Sequence, residues 1–402
     1  MMLATNNFDV IIAGAGPAGA SAAIHLVQRG IRVLLVEQKS FPREKLCGEF
    51  ISPECYKYFQ ELGVREQVMN AQPALLRETR FYSRNGQCVS VPSNWFAAGP
   101  ALGLSRSLMD NILLRRAKTV GVVVVQDATV NDVIEIDGRI GGVRIRWQGG
   151  EHTCRSPLVI DATGRSRTLM RKTDPHVRER TRMKMVAMKA HFRDTKVAAG
   201  VCEIYCYRGG YGGLSTIEEG MSNLCFIASA RDVRRVQSSP DLLLNETVLK
   251  NRRALKTMEH ATICSEWLSV AFESFGRRSL SPIPGLLAIG DSAAFIDPFT
   301  GSGILLALES GKLAAEIINK HRPVLNDFTS LVNLSRVYRR EYTNAFTSRF
   351  RVSGLLRRAA FRPRWAEFAI RACAVNGRLR NRLARATRGS RTTPESILGS
   401  VK

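Results

Sequence analysis

Cys47 and Glu49 are two proton-bearing groups on one loop, Phe41-Pro42-Arg43-Glu44-Lys45-Leu46-Cys47-Gly48-Glu49-Phe50-Ile51-Ser52-Pro53. Beside a redox centre either would serve as an acid, because proton transfer needs a group within hydrogen-bond reach of the reacting atom. Each also has a plainer reading. A thiol behaves as a small apolar filler, and Glu49 is close in sequence to two cations, Arg43 and Lys45, with which a carboxylate pairs. The chemistry of this loop has to be read from its neighbours.

Upstream lies Gly14-Ala15-Gly16-Pro17-Ala18-Gly19, a Gly-x-Gly-x-x-Gly run. Gly14 permits a tight turn, Gly16 lets the backbone approach a pyrophosphate, and Gly19 lets a helix pack close to a strand. The helix start offers free N–H groups and a partial positive charge to phosphates. Glu37 follows about twenty residues on, the spacing at which an acid meets a ribose hydroxyl.

The elements that position these residues follow from pattern. Phe8 to Ala13 is a short apolar, β-branched run, the mark of a buried parallel strand. Ala20 to Arg29 has helical character and Gly30 stops it; Ile31 to Val36 is a second strand ending on Glu37. The order strand, glycine turn, helix, strand, acid predicts a dinucleotide site.

Two later stretches add to it. Leu158-Val159-Ile160-Asp161-Ala162-Thr163-Gly164 is a strand that delivers a carboxylate and a flexible backbone to the sheet's carboxyl edge, where ligands bind. Leu287 to Gly303 reads as strand, Gly290-Asp291, a loop with Pro298, then Gly301-Ser302-Gly303 opening a helix at Ile304. Asp291 suits a sugar-alcohol hydroxyl, and the N–H groups at that helix start face whatever lies over it.

Between these stretches the character changes. Met185 to Phe192, Val201 to Tyr207, Gly212 to Ile217 and Leu224 to Ala230 read as strands, and Pro240 to Lys256 as one helix. The fold class predicted is α/β: a Rossmann-like parallel-sheet domain (residues 1–75, 100–180 and 280–330) with an inserted antiparallel-sheet substrate lobe (76–99 and 181–279) and a basic helical C-terminal region (331–402).

Composition bounds the class. The chain has 402 residues, 45% of them hydrophobic, and nine scattered cysteines without a Cys-x-x-Cys pair. No apolar stretch approaches the length of a membrane span, and the N-terminus lacks a signal pattern. Reduced thiols and a cytoplasmic location are expected, with no metal site. The net charge of +24 is uneven: residues 331–402 carry 17 Lys+Arg against 3 Asp+Glu.

The three stretches, in this order, resemble the para-hydroxybenzoate-hydroxylase-type flavoproteins. The resemblance implies FAD. It places Gly14, Gly16, Pro17, Ala18, Gly19 and Glu37 on the ADP half, Arg43 and Arg106 on the pyrophosphate and ribityl region, and Asp161 and Gly164 beside them. Gly290 and Asp291 would hold the ribityl chain. The backbone of Gly301, Gly303 and Ile304 would stabilise negative charge on the flavin ring, with Pro298 beside the cofactor in the preceding loop. Arg43 to Glu49 and Asp297-Pro298-Phe299-Thr300-Gly301 look like the corresponding loops of geranylgeranyl-reductase-like flavoproteins, with Glu49 where that loop has a second glycine. Tyr205, Tyr207 and Tyr211, in Tyr205-Cys206-Tyr207-Arg208-Gly209-Gly210-Tyr211, resemble that subfamily's aromatic substrate-lobe signature; alternating aromatics are also ordinary sheet packing. Flavin halogenases share the architecture, but their Trp-x-Trp-x-Ile-Pro signature is absent, and no lysine occurs between Lys57 and Lys118, where theirs is expected.

The expected activity is FAD-dependent reduction of a C=C bond in a hydrophobic (isoprenoid, polyene or polyketide-like) substrate. Cys47 or Glu49 would supply the proton. The alternatives are hydroxylation of an aromatic or polyketide substrate through a flavin hydroperoxide, and a low-turnover flavin-binding docking protein. No second glycine-rich βαβ unit is present for NAD(P)H, so a nicotinamide would bind transiently. The basic stretch 345–391 reads as an anionic-membrane surface, a dock for an acidic carrier protein, or a helical cap over the cofactor domain. No nucleic-acid motif accompanies the charge.

Overall fold

The short apolar runs form one parallel sheet because each is sealed on both faces. Its five strands run in the order Leu286–Ala288, Leu158–Asp161, Val10–Ala13, Val33–Val36, Val123–Val125, and every neighbouring pair is parallel. The computed structural model describes residues 6–173, 184–273, 275–322 and 327–388. Parts of the expected segments, residues 1–5, 174–183, 274, 323–326 and 389–402, lie outside the described residues.

The helix Pro17–Val27 leaves the first strand directly and is buried along most of its length. It packs against the helix Gly303–His321. Gly311 makes that approach close: a Cβ there would sit 2.5 Å from the Ala18 carbonyl oxygen. A three-stranded antiparallel sheet, Thr129–Ile136, Arg139–Trp147 and Gly150–Arg155, flanks the parallel sheet.

The second lobe is one eight-stranded, mostly antiparallel sheet. Met185–Arg193, Ser222–Ser229, Gly210–Thr216 and Val201–Tyr207 are consecutive neighbours, and the Glu78–Tyr82 and Cys88–Pro92 hairpin extends it. One junction, Val201–Tyr207 on Glu78–Tyr82, is parallel. The helix expected over Pro240 to Lys256 is broken into Pro240–Glu246, a 3-10 turn at Val248–Lys250, and Arg252–Thr257. Asn251 is the cause. Its side-chain oxygen caps Arg253 and Ala254, and its amide donates to the carbonyls of Tyr82, Ser83 and Cys206, which fastens this chain segment to the sheet.

The C-terminal region forms three helices, Phe328–Ala360, Pro363–Val375 and Gly377–Ala386. Pro363 at a first helical turn and Asn376 as an N-cap separate them. The middle helix packs on the strand Cys88–Pro92, so this region spans both lobes. No described helix is long and apolar enough to cross a membrane.

Candidate active site

A single cavity of about 730 Å³ runs from the glycine loop, beneath the second lobe, to the C-terminal helices. The glycine loop at its start is built as tightly as its sequence requires. Gly14 has φ +104°, and a Cβ on Gly19 would lie 1.9 Å from the Gly14 carbonyl oxygen. Gly16, Pro17 and Ala18 line the cavity. Glu37 lines it too, and its carboxylate accepts hydrogen bonds from the Ala15 N–H at 2.8 Å and the Lys39 N–H at 3.1 Å. The acid expected at a ribose thus also anchors the loop that would hold the phosphates.

Arg43 and Arg106 come from different elements and meet on one carboxylate. Arg43 Nη1 donates to Asp110 at 3.1 Å, and Arg106 donates through Nε and Nη2 at 2.7 Å each. Asp110 is fully buried. Sequence reading missed it, although its position four residues after Arg106 on one helix is a pairing signal. Lys45 and Arg165 also line this end. Desolvation, then the charges of Arg43, Arg106 and Arg165, lower the Lys45 pKa. Four cations gather around one opening against two buried carboxylates, Asp110 and Glu37, the latter 3.5 Å from Arg43 Nε, and the excess of positive charge makes a site for an anionic group such as a diphosphate. Burial raises the Asp291 pKa against the pull of Arg165, Arg106 and Lys45, and this carboxyl also lines the cavity. Gly164, Gly290, Pro298, Gly301, Gly303 and Ile304 join it on the wall. Gly301 sits at φ +62° and Gly303 has open space where a side chain would be.

Asp161 does not face the cavity. Its carboxylate accepts from the N–H groups of Thr163, Leu169 and Met170 and from the hydroxyls of Thr163 and Ser292. With its acceptor sites occupied, it ties the strand end to the following turn and to the Gly290 segment.

Cys47 lies where the cofactor end meets the sheet lobe. It lines the cavity, contacts Arg106, and its carbonyl accepts from the Asn223 amide at 3.1 Å. Glu49 pairs with neither Arg43 nor Lys45. It sits fully buried at φ +52°. Lys189 Nζ lies 2.6 Å from one oxygen and His191 Nε2 2.7 Å from the other, and the Arg106 N–H donates to the first. Burial alone pushes the Glu49 pKa up, but His191 and Lys189 outweigh it and hold the carboxyl below its usual range. A carboxyl held ionised does not supply a proton. Glu44, Glu49 and His191 are close enough to ligate a metal, but the Lys189 ammonium, 2.8 Å from Glu44, already provides the positive charge between the two carboxylates.

Strand alternation decides which sheet residues reach the cavity. Cys202, Ile204 and Cys206 face it. Tyr205 and Tyr207 therefore point the other way and do not line it. The Tyr205 hydroxyl donates to Glu203 and that of Tyr207 to the Ile227 carbonyl, both within the separate core beneath the lobe's helices. Tyr211 does line the cavity, edge-on to Phe299 at 5.1 Å. Its hydroxyl donates to Asp297 at 2.5 Å. Burial pushes Asp297 up to about 6, and its second oxygen is buried without a hydrogen-bond partner, with Arg357 at 3.6 Å. Lys189 and His191 were absent from the sequence-level site, since only the folded sheet brings them to these loops; Asp297 stands in a loop the sequence did single out, but its partner Tyr211 comes from the sheet.

The apolar part of the cavity is walled by Phe81, Val89, Ile227, Phe299, Ala360 and Ile370, among others. The C-terminal helices thus form one side of it.

Comparison with known proteins matches residues 7–319 to a family model described as an FAD binding domain. The digeranylgeranylglycerophospholipid reductase of Methanosarcina mazei is 25% identical over 84% of this chain and 81% of its own. The 1H-pyrrole-2-carbonyl-[peptidyl-carrier protein] brominase of Pseudoalteromonas luteoviolacea is 26% identical over 78% of each. Among solved structures, a flavin-dependent brominase superposes with a TM-score of 0.77 at 22% identity, covering 95% of this chain and 93% of that one.

Proposed function

The chain belongs to the FAD-binding-domain family and is an FAD-dependent oxidoreductase, and we propose that it reduces a C=C bond in a hydrophobic, isoprenoid- or polyene-like molecule. The residues present suit the cofactor: the Gly14 to Gly19 backbone and the Arg43, Lys45, Arg106 and Arg165 cations for the diphosphate, Glu37 and Asp291 for the sugar hydroxyls, and the Gly301 to Ile304 backbone for the ring. When bound, FAD supplies the hydride equivalent. The chain's own residues exclude water, hold the substrate and deliver the proton.

The observation that carries the reading is the position of Cys47, a thiol at the join between the cation-lined and apolar parts of the cavity. Reduction of an alkene needs one proton beside the cofactor and an otherwise dry pocket. Glu49, held ionised by Lys189 and His191, fixes the loop and leaves the proton to Cys47. The relatedness to a geranyl-lipid reductase supports the same reaction class. Halogenation is disfavoured because the sequence lacks the Trp-x-Trp-x-Ile-Pro signature, and the buried Lys189 is engaged with Glu44 and Glu49. The electron donor is NAD(P)H bound transiently or another carrier. Turnover under ¹⁸O₂ tests the assignment. The product is expected to gain 2 Da and no heavy oxygen; a product carrying one ¹⁸O atom would make the protein a monooxygenase.

The C-terminal helices favour a membrane surface as the source of such a substrate. Trp365, Phe368 and Val375 on the helix Pro363–Val375 are 60%, 70% and 91% exposed. Residues 361–388 hold eight arginines and one acid, Glu367. Exposed aromatic and apolar side chains flanked by arginines fit the interface of an anionic bilayer. The opposite side of the same helix, Ala366 and Ile370, walls the cavity. Flotation with phosphatidylglycerol vesicles tests this: the W365S/F368S variant is expected to lose most binding. Equal flotation of both proteins, or capture by an acidic carrier protein alone, would refute it.

A further inference from the structure

Cys225 stands at the centre of the patch of sheet that the Cys47 loop covers. Lys189 faces it across one strand pair and Gly213 across the other. Asn223 and Ile227, on its own strand, point to the same side of the sheet. The loop touches this ring of neighbours at Lys189, Asn223 and Ile227. Glu49 meets Lys189 at 2.6 Å, the Cys47 carbonyl accepts from the Asn223 amide at 3.1 Å, and Leu46 packs on the apolar cluster that contains Ile227. The backbone of Cys47 therefore crosses the sheet beside Cys225, the approach that a disulfide requires.

Both cysteines line the cavity and both are half-buried. Burial pushes the Cys225 thiol up to about 12, and among its charged neighbours Cys47 acts on it most strongly, ahead of Lys189, Arg165 and Glu49. Other thiols are placed differently. Cys202 and Cys206 also line the cavity, but the strand Gly210–Thr216 separates theirs from that of Cys225. Cys55 is fully buried against Ser52. Cys47 contacts Arg106 at the cofactor end, where peroxide formed by a reduced flavin and oxygen is released.

We propose that Cys47 and Cys225 are a redox pair that hydrogen peroxide closes to a disulfide. Peroxide transfers one oxygen to the Cys47 sulfur, giving the sulfenic acid and one water. The Cys225 sulfur then attacks the Cys47 sulfur; the S–S bond forms, the S–O bond breaks, and the oxygen leaves as a second water with the Cys225 proton. The two thiols lose two electrons and two protons in all, and peroxide takes both. The closed bond removes the proton that reduction of the substrate needs, so peroxide stops turnover and a thiol reductant restores it. That consequence rests on the reading of Cys47 above; the bond itself does not.

Thiol mapping of the FAD-loaded protein tests the pair. The protein is treated with a few equivalents of peroxide, quenched with catalase, then unfolded and alkylated with N-ethylmaleimide. Of its nine free cysteines, Cys47 and Cys225 alone are expected to escape alkylation, and a phosphine reductant is expected to return both. Non-reducing digestion with trypsin and Glu-C, which cuts after Glu49 and so parts Cys47 from Cys55, is expected to yield a peptide joining Cys47 to Cys225. Cys225→Ala is expected to give instead a Cys47 sulfenic acid that dimedone traps. Should that variant fail to fold, the wild-type map decides. Cys47 oxidised while Cys225 stays alkylated, Cys47 joined to any other cysteine, or both still alkylated at a peroxide dose that oxidises the exposed Cys88 and Cys264 would each overturn the pair. A Cys47–Cys225 peptide together with a Cys47→Ala protein that reduces substrate at the wild-type rate keeps the pair and overturns the proton-donor reading.

Discussion

Lys189 Nζ lies 2.6 Å from Glu49 Oε1, and both side chains are sealed from water. The pair joins a central strand of the substrate lobe to the loop that carries Cys47. The loop next to the cofactor end is therefore positioned by the substrate lobe, and a left-handed residue, Glu49 at φ +52°, is held in place by that contact.

Removing one partner of a buried pair leaves an uncompensated charge, at a cost of about 3–5 kcal/mol. Lys189→Met is expected to destabilise the protein by about that much in urea unfolding. The double variant Lys189→Met/Glu49→Gln should recover at least half, because it removes the stranded carboxylate. A single variant within about 1 kcal/mol of wild type would show that the pair does not hold the loop.

Asp297 gives a pH signature of the opposite kind to a paired acid. Burial raises its folded pKa to about 6 from 3.8. The folded state then binds more protons than the unfolded one, so its contribution is fully present below 3.8 and is lost as pH rises through about 6. Wild-type stability should fall across pH 4 to 6 relative to Asp297→Asn, by up to ~3 kcal/mol. Glu49 acts the other way, its stabilisation being lost as pH falls below its usual range. Parallel stability curves for wild type and Asp297→Asn over pH 4 to 7 would contradict the assignment.

Asp110 is the common anchor of Arg43 and Arg106. Asp110→Asn keeps the shape but leaves Arg106 without its anion and Arg43 with Glu37 alone, 3.5 Å away. Titration of the FAD-stripped protein, followed by flavin fluorescence quenching, should show affinity for FAD lowered tenfold or more. Unchanged affinity would mean that the arginines need no such anchor.

The parallel sheet and its glycine turn were legible because they are local. Phe8 to Glu37 holds strand, turn, helix and acid in one run, and each residue type has one physical reason to be there. The loops at Gly164, Gly290 and Gly301 were legible for the same reason. What escaped depends on strand phase and long-range pairing. Tyr205 and Tyr207 are aromatic and alternate correctly, yet sequence does not say which face of a sheet looks into a cavity. Asp161 resembles a ligand until its five internal donors are seen. Glu49 meets Lys189 and His191, 140 and 142 residues away, a distance no local pattern spans. The C-terminal helices read as amphipathic, but only the fold shows that they wall the cavity.

Cys47 is assigned the proton, so its loss should separate two half-reactions. Cys47→Ala is expected to accept electrons from dithionite at the wild-type rate and to transfer them to substrate at least a hundredfold more slowly. Equal slowing of both steps would make Cys47 a packing residue.

Anaerobic stopped-flow reoxidation of the reduced, FAD-loaded protein tests the reductase assignment most directly. Mixed with a polyunsaturated isoprenoid, the flavin absorbance near 450 nm is expected to return in a substrate-dependent phase without oxygen, ~tenfold or more faster than without substrate. A flavin that stays reduced with every such polyene and reoxidises only on admission of oxygen would contradict the reductase assignment.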